Sequence, residues 1–150
     1  MGTVTLDQAS IIVDKALERG RELKMKPVTV VVLDVGGHLT AMKREDRSSL
    51  LRPEIAFGKA WGVLGMGFGS REMFRKASAP VNTVSAWVAA SGGRMIPAPA
   101  GGVLIRDHAG EIIGAVGVTG DTADNDENCA VHGIVSAGLM PDTGEDGWKV

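Results

Sequence analysis

VTVVVLDVGGHLTAMK, residues 28–43, predicts a β-hairpin. Val28–Asp34 is almost continuously β-branched and apolar, which is typical of a well-buried strand. Gly36-Gly37 supplies a flexible turn, and Leu39–Lys43 predicts the returning strand. Because a hairpin pairs its two strands in opposite directions, this stretch indicates an antiparallel sheet.

A second hairpin is predicted in the later half of the chain. Gly101–Asp107 has the composition of a strand, residues 108–111 form a turn, and Ile112–Val118 predicts the partner strand. Gly114 and Gly117 interrupt that last strand. Glycine inside a strand indicates that another part of the protein packs closely against its backbone.

Helices are predicted before, between and after the two hairpins. Thr5 and Gln8 have the spacing of a capping box at the start of the first helix. Ser70 and Asn82 are predicted to cap two short helices, and the tail after Pro141 is predicted to be loose. The order of elements favours one α+β domain over residues 1–150, and the predicted helices are Thr5–Lys24, Pro53–Met66, Ser70–Lys76, Asn82–Ala90 and Thr122–Leu139.

The composition excludes several classes of protein. A formal net charge of -2 argues against a nucleic-acid partner, because nucleic-acid binding requires a basic face. A single cysteine excludes an internal disulfide. No apolar run reaches the length of a membrane span, and no signal peptide is recognisable, so the expected location is cytoplasmic with no membrane partner.

An acidic cluster lies in TGDTADNDENCAVH, residues 119–132. Its first part resembles a calcium loop, but Cys129 replaces the required glycine and Val135 replaces the bidentate glutamate, which excludes an EF-hand. Asp121 and Asp124 suit the start of a helix, where carboxylates are stabilised by exposed amides. Asp126 and Glu127 lie a turn further along and are candidate catalytic acid/base groups.

The chain has three histidines, His38, His108 and His132, and each is a candidate haem ligand. His38 and His108 lie in hairpin turns, where histidines are usually exposed. Cys129 and His132 are three residues apart in the predicted last helix and would lie next to each other on its surface. Two ligands are too few for a zinc site, so no metal centre is predicted. His132 is instead a third candidate for acid/base chemistry.

Several basic and glycine residues are candidates for binding an anion. Lys59 lies in an apolar helical setting, where it either extends its stem along the surface or binds a carboxylate with a lowered pKa. Arg44 ends a strand, and Arg94 follows a glycine pair. Gly101 and Gly102 open a strand with bare backbone amides that can contact an anion.

Five motifs in sequence order resemble a known family. They are VLDVGGHL at 32–39, Lys59-Ala60, ASGGR at 90–94, PAGGVLI at 99–105, and IGAVGVTG at 113–120 followed by Asp126-Glu127. Together they are similar to the GlcG/HbpS family, which includes the C-terminal domain of PduO proteins. Leu104 replaces the usual proline, and Cys129 and His132 stand where small or aliphatic residues are common.

The resemblance implies a profilin-like or PAS-like antiparallel sheet flanked by helices. It also implies homo-oligomers, from dimers to octamers, and links to haem binding and degradation, redox sensing, corrinoid metabolism or glycolate utilisation. No haem-binding motif is common to the family, so none of the three histidines inherits a ligand role from it.

Three functions follow as hypotheses. The first is an enzyme that acts on a small anionic metabolite, with Lys59, Arg94, Arg44, Gly101 and Gly102 binding the substrate and Asp126, Glu127 and His132 moving protons. The second is a module that binds or degrades haem or senses redox state. The third is a non-catalytic oligomeric accessory protein.

Overall fold

The computed structural model describes residues 2–77 and 83–145. The predicted cap at Asn82 lies outside the described residues. The helices and strands follow one another as α1 (Leu6–Glu22), β1 (Thr29–Asp34), β2 (Leu39–Arg44), α2 (Arg52–Met66), α3 (Ser70–Ala77), α4 (Thr83–Ala90), β3 (Gly102–Arg106), β4 (Ile112–Thr119), α5 (Ala123–Ser136) and β5 (Met140–Asp142).

The strands form one antiparallel sheet in the order β2-β1-β4-β3-β5. The two predicted hairpins are its β1–β2 and β3–β4 pairs, and β1 and β4 join them at the centre of the sheet. The predicted α+β class, an antiparallel sheet flanked by helices, is therefore confirmed.

The two faces of the sheet have separate cores because alternate residues of a strand point to opposite sides. Val30 and Val32 of β1 pack with α1 and α5. Val31 and Leu33 of the same strand pack with α2. Burial on both faces explains why β1 is continuously apolar instead of alternating with polar residues.

Two local predictions near the first helix and the central strand are confirmed. Thr5 and Gln8 exchange both hydrogen bonds of a capping box at the start of α1. A Cβ atom added at Gly117 would lie 1.9 Å from the carbonyl oxygen of Ala56. Helix α2 therefore lies directly on the backbone of β4 at Gly117.

Two other local predictions are wrong. Ser70 does not cap α3 from outside the helix. It is the first residue of α3, and its hydroxyl accepts a hydrogen bond from the Gly102 amide across 3.0 Å. The prediction of a loose tail after Pro141 is wrong at Asp142, because β5 pairs with β3 and the Asp142 carboxylate is buried 2.9 Å from an Arg106 nitrogen. The rest of that prediction, from residue 146 onward, falls outside the described residues. A strand of three residues is too short to show a hydrophobic period.

Among the described residues, no helix has both the length and the apolar character needed to cross a membrane.

We expect Gly117→Ala to lower the free energy of unfolding by about 3 kcal/mol, because its methyl group would overlap the α2 backbone, which cannot move aside as a flexible side chain could. Chemical denaturation measures the change. Gly65→Ala is the matched control. A Cβ atom there would meet Trp61 at an ordinary 3.5 Å on an exposed face of α2, so this variant should be neutral or more stable by up to about 1 kcal/mol. Equal effects of the two changes would contradict the packing argument.

Candidate functional site

The predicted site residues do not form one constellation. They separate into a buried ion pair, a polar cavity beside α5 and an apolar groove beside β2. Arg44 belongs to none of these, because its guanidinium is exposed and donates to the carbonyl of Ser48.

The buried pair joins Lys59 of α2 to Asp126 of α5. Only 7% of the Lys59 side chain and 3% of the Asp126 side chain are exposed. The Lys59 ammonium lies 3.5 Å from Asp126 Oδ2 and donates to the carbonyl of Val118 across 2.9 Å. The other oxygen, Asp126 Oδ1, accepts a hydrogen bond from the Asp121 amide.

Burial favours the neutral form of each partner. Desolvation lowers the pKa of Lys59 and outweighs the attraction of the Asp126 carboxylate, which acts in the opposite direction. Desolvation likewise raises the pKa of Asp126 against the effect of the Lys59 ammonium. The interpretation of Lys59 as a stem that reaches solvent is wrong, because its amine points into the interior.

Gly101 and Gly102 pack around this pair. A Cβ atom at Gly101 would lie 2.8 Å from the Lys59 amine, and the φ angle of +101° also favours glycine there. The Gly102 amide donates to Ser70 and is therefore not open to an anion. The glycine pair makes room for Lys59 in this structure.

The polar cavity lies between α1, α3 and α5 and has a volume of about 400 Å³. Arg71 of α3 organises it by donating to both carboxylate oxygens of Glu127, with a closest separation of 2.8 Å. Arg71 also contacts Asp124 at 2.6 Å. The hydrogen bonds to Glu127 are the main reason that the pKa of Arg71 is raised.

His132 lines this same cavity together with Glu127, so two of the three predicted acid/base residues lie together. The third, Asp126, is buried on the Lys59 side of α5. Arg71 was missed from the sequence because it lies in a short charged helix and its partners are more than 50 residues away. Because Arg71 and the acidic residues that it contacts are far apart in the sequence, no short motif identifies them as partners.

The apolar groove lies between β2 and α2 and has a volume of about 390 Å³. Leu39 and Met42 both line it, although residues three apart in a regular strand point to opposite faces. The register shifts at this point, since Val32 pairs with Ala41 and Leu33 pairs with Leu39. This β-bulge at Thr40 turns both apolar side chains toward α2.

Arg94 closes one side of the groove. Its guanidinium lies 5.2 Å from the centre of the Trp61 ring, a cation–π contact that holds it in place. Trp61 also lies under Gly37 of the β1–β2 turn, where an added Cβ atom would be 3.3 Å from the indole nitrogen. The turn, the indole ring and Arg94 are therefore contiguous.

The histidines lie in three different environments. His38 is exposed in the β1–β2 turn, with Nδ1 at 3.3 Å from Asp34 Oδ1. His108 is exposed in the β3–β4 turn, and His132 is half-buried in the polar cavity. Across residues 2–77 and 83–145, no three His, Cys, Asp or Glu side chains form a group that could hold a metal ion.

Cys129 does not join His132. Its thiol is fully buried in the core beneath α1 and contacts the sulfur of Met25 at 3.3 Å. Burial raises the pKa of the Cys129 thiol to about 12. The thiol is therefore protonated at neutral pH and unsuited to act as a nucleophile or metal ligand.

A family model described as "Haem degrading protein HbpS-like" matches residues 4–135. The chain belongs to the HbpS-like family. The resemblance found in the five sequence motifs is thereby confirmed. No protein with a curated description matches the sequence.

Three solved structures share the fold of this chain. A PduOC complex with haem has 22% identity and a TM-score of 0.82, and the match covers 95% of this chain and 99% of that one. The Klebsiella pneumoniae protein ORFY has 25% identity and a TM-score of 0.80, with 92% of each chain covered. HbpS has 22% identity and a TM-score of 0.76, with 90% of each chain covered.

We expect the stability of this HbpS-like protein relative to an Asp126→Asn variant to fall as the pH rises above 3.8. The pKa of Asp126 is raised in the folded state, so the folded protein holds this proton more tightly than the unfolded chain, whose value is 3.8. That contribution is present below pH 3.8 and is lost as the pH rises through the folded-state pKa. Each unit of difference between the folded-state and unfolded-state pKa values of Asp126 contributes about 1.4 kcal/mol to the free energy of unfolding.

Urea denaturation of both proteins across the acid range measures this difference. Asp14→Asn is the control, because the Asp14 side chain is 57% exposed and its ion pair with Lys43 contributes little. A difference between the wild type and Asp126→Asn that rises with pH would show that Asp126 is stabilised as the anion.

Proposed function

We propose that this protein binds haem in the apolar groove between β2 and α2. The proposal depends mainly on Leu39 and Met42. Both line the groove, and 55% of Leu39 and 43% of Met42 is exposed. Large apolar side chains on a strand are normally covered, and a groove lined by them suits a flat apolar ligand.

The lining fits the two chemical parts of haem. Phe57, Ile96 and Pro53 extend the apolar surface that the porphyrin face requires. Arg94 supplies a positive charge at the rim, where a propionate carboxylate would be paired and hydrogen-bonded. Glu54 lies on the same lining and disfavours a propionate on its own side, so the two charges would orient the ligand.

His38 does not itself line the groove, but it directly precedes Leu39, which does, and it is the residue that we assign to hold the iron of a bound haem. Its Nδ1 faces Asp34, and this leaves Nε2 on the outer side of the ring for the iron. A carboxylate on the second ring nitrogen is the usual way in which a ligating histidine is oriented. Met42 offers a thioether within the groove itself. Bound haem would supply iron redox chemistry, while the residues of this chain bind and orient it.

The comparisons are consistent with this proposal. The matching family model carries a haem-degrading description, and one structure with the same fold is a haem complex. The alternative substrate site built on Lys59 is less well supported, because the Lys59 amine lines neither the groove nor the polar cavity. Lys59 and Asp126 satisfy each other in the interior.

Assembly into homo-oligomers forms part of the proposal. Strand β2 is an edge of the sheet, and the loop after it exposes Leu50 at 92% and Leu51 at 62%. Apolar side chains beside an open sheet edge are the kind of surface that subunit contacts cover. A non-catalytic accessory role would use the same surface without a ligand.

A haem titration followed by absorbance tests the binding proposal, with native mass spectrometry of the same sample reporting the oligomer. We expect a saturable Soret band at one haem per chain. Arg94→Ala should weaken binding by about tenfold or more, because a charge-assisted hydrogen bond contributes about 1.5–3 kcal/mol. His38→Ala should change the Soret spectrum, because it would remove the imidazole that we assign to hold the iron.

His108→Ala is the matched control, because His108 is an exposed histidine in the other hairpin turn. Its spectrum and affinity should equal those of the wild type. The absence of a Soret band would refute haem binding, and a band that is insensitive to Leu39→Glu and Arg94→Ala would place haem outside the groove.

A further inference from the structure

We infer that the polar cavity between α1, α3 and α5 is a second ligand site, which takes a small zwitterion of the amino-acid type. The cavity is distinct from the proposed haem groove, since the two share no lining residue. Its polar lining comes from three helices and consists of Arg19, Arg71, Asp124, Glu127, Asn128 and His132.

The charged groups of this cavity are held in place before any ligand arrives. Both carboxylate oxygens of Glu127 accept hydrogen bonds from Arg71, and only 15% of the Glu127 side chain is exposed. Arg19 donates through Nε to the side-chain oxygen Oδ1 of Asn128 across 2.9 Å and through Nη1 to Glu22 across 3.0 Å. Because these side chains are already ordered, a ligand would lose little affinity to ordering them.

The same network leaves hydrogen-bonding positions unused on both charge types. Within residues 2–77 and 83–145, Nη2 of Arg19 and Nη1 of Arg71 have no acceptor. Both guanidinium groups line the cavity, one from α1 and the other from α3, and each can donate to a carboxylate. Asp124 uses only Oδ1 toward Arg71, so its Oδ2 is available to an ammonium group.

The charge balance of the lining selects among small ligands. Among the lining residues, the positive charges of Arg19 and Arg71 balance the negative charges of Asp124 and Glu127. Two further carboxylates outside the lining, Glu22 and Glu145, lie 3.0 Å from Arg19 and 3.6 Å from Arg71. A simple anion would therefore meet several carboxylates, and a simple amine would meet the two guanidinium groups. A zwitterion places each of its charges on an opposite partner and leaves the total charge of the site unchanged.

The remaining lining sets the size of the ligand and its surroundings. A volume of about 400 Å³ is at the small end of ligand sites. Val131 and His132 lie along α5 beyond the charged groups, where the side chain of an amino acid would rest. The His132 ring has no hydrogen-bond partner among the described residues, and this leaves it available to that side chain.

L-Alanine, propionate and ethylamine form a matched set of probes for the full-length protein. Each is titrated into isotope-labelled protein while the NMR signals of the Asn128 side-chain amide and the His132 ring are followed. We expect saturable shifts with alanine, about tenfold weaker binding of ethylamine, which lacks the carboxylate, and about two- to fivefold weaker binding of propionate, which lacks only the contact with the exposed Asp124 carboxylate.

Arg19→Gln should weaken alanine binding by about tenfold or more through the carboxylate. Asp124→Asn should weaken it by about two- to fivefold through the ammonium group, because the Asp124 side chain is 81% exposed and solvent screens its charge. Arg21→Gln is the control, because Arg21 lies on the same helix, is 66% exposed and pairs with Glu45 outside this cavity. Unchanged amide signals elsewhere in the protein would show that each variant is folded.

Three results would overturn the assignment. They are the absence of saturable shifts with alanine, propionate binding equal to that of alanine, and alanine binding that survives both Arg19→Gln and Asp124→Asn. Because the readout involves no haem, each of these outcomes is independent of the result in the groove.

Discussion

The ion pair between Lys59 and Asp126 connects the two helical layers of this protein. Lys59 comes from α2 on one face of the sheet, and Asp126 comes from α5, which packs on the other face. The two side chains meet beside the end of β4, where Lys59 also donates to the Val118 carbonyl. Because desolvation of each group outweighs the attraction of its partner, the pair adds little net stability, but the loss of either side chain would leave a buried polar group unpaired.

Glycine makes this connection possible. A side chain at Gly101 would occupy the position of the Lys59 amine, and a side chain at Gly117 would overlap the α2 backbone. Helix α2 therefore lies closer to the sheet than ordinary residues allow. This close contact brings the amine of a helical lysine to the level of the strand carbonyls, away from solvent and from either candidate ligand site.

The two candidate ligand sites use different elements of this architecture and share no lining residue. The groove uses the α2 face, where the bulge at Thr40 presents Leu39 and Met42 beside a positively charged rim. The polar cavity uses the α1 and α5 side, where Arg71 gathers the acidic residues at the start of α5. Apolar and polar recognition are therefore separated, and each site has its own charge balance.

Local patterns were sufficient to predict the two hairpins, the capping box at Thr5, the close packing at Gly117 and the family. Each depends on residues that are neighbours in the chain or on a short motif. The partners of Lys59 and Arg71 and the pairing of Asp142 with Arg106 depend on tertiary structure, because 36 to 67 residues separate the groups involved. A charged residue carries the same local signal whether it is solvated or paired, and only the folded chain determines which of these holds.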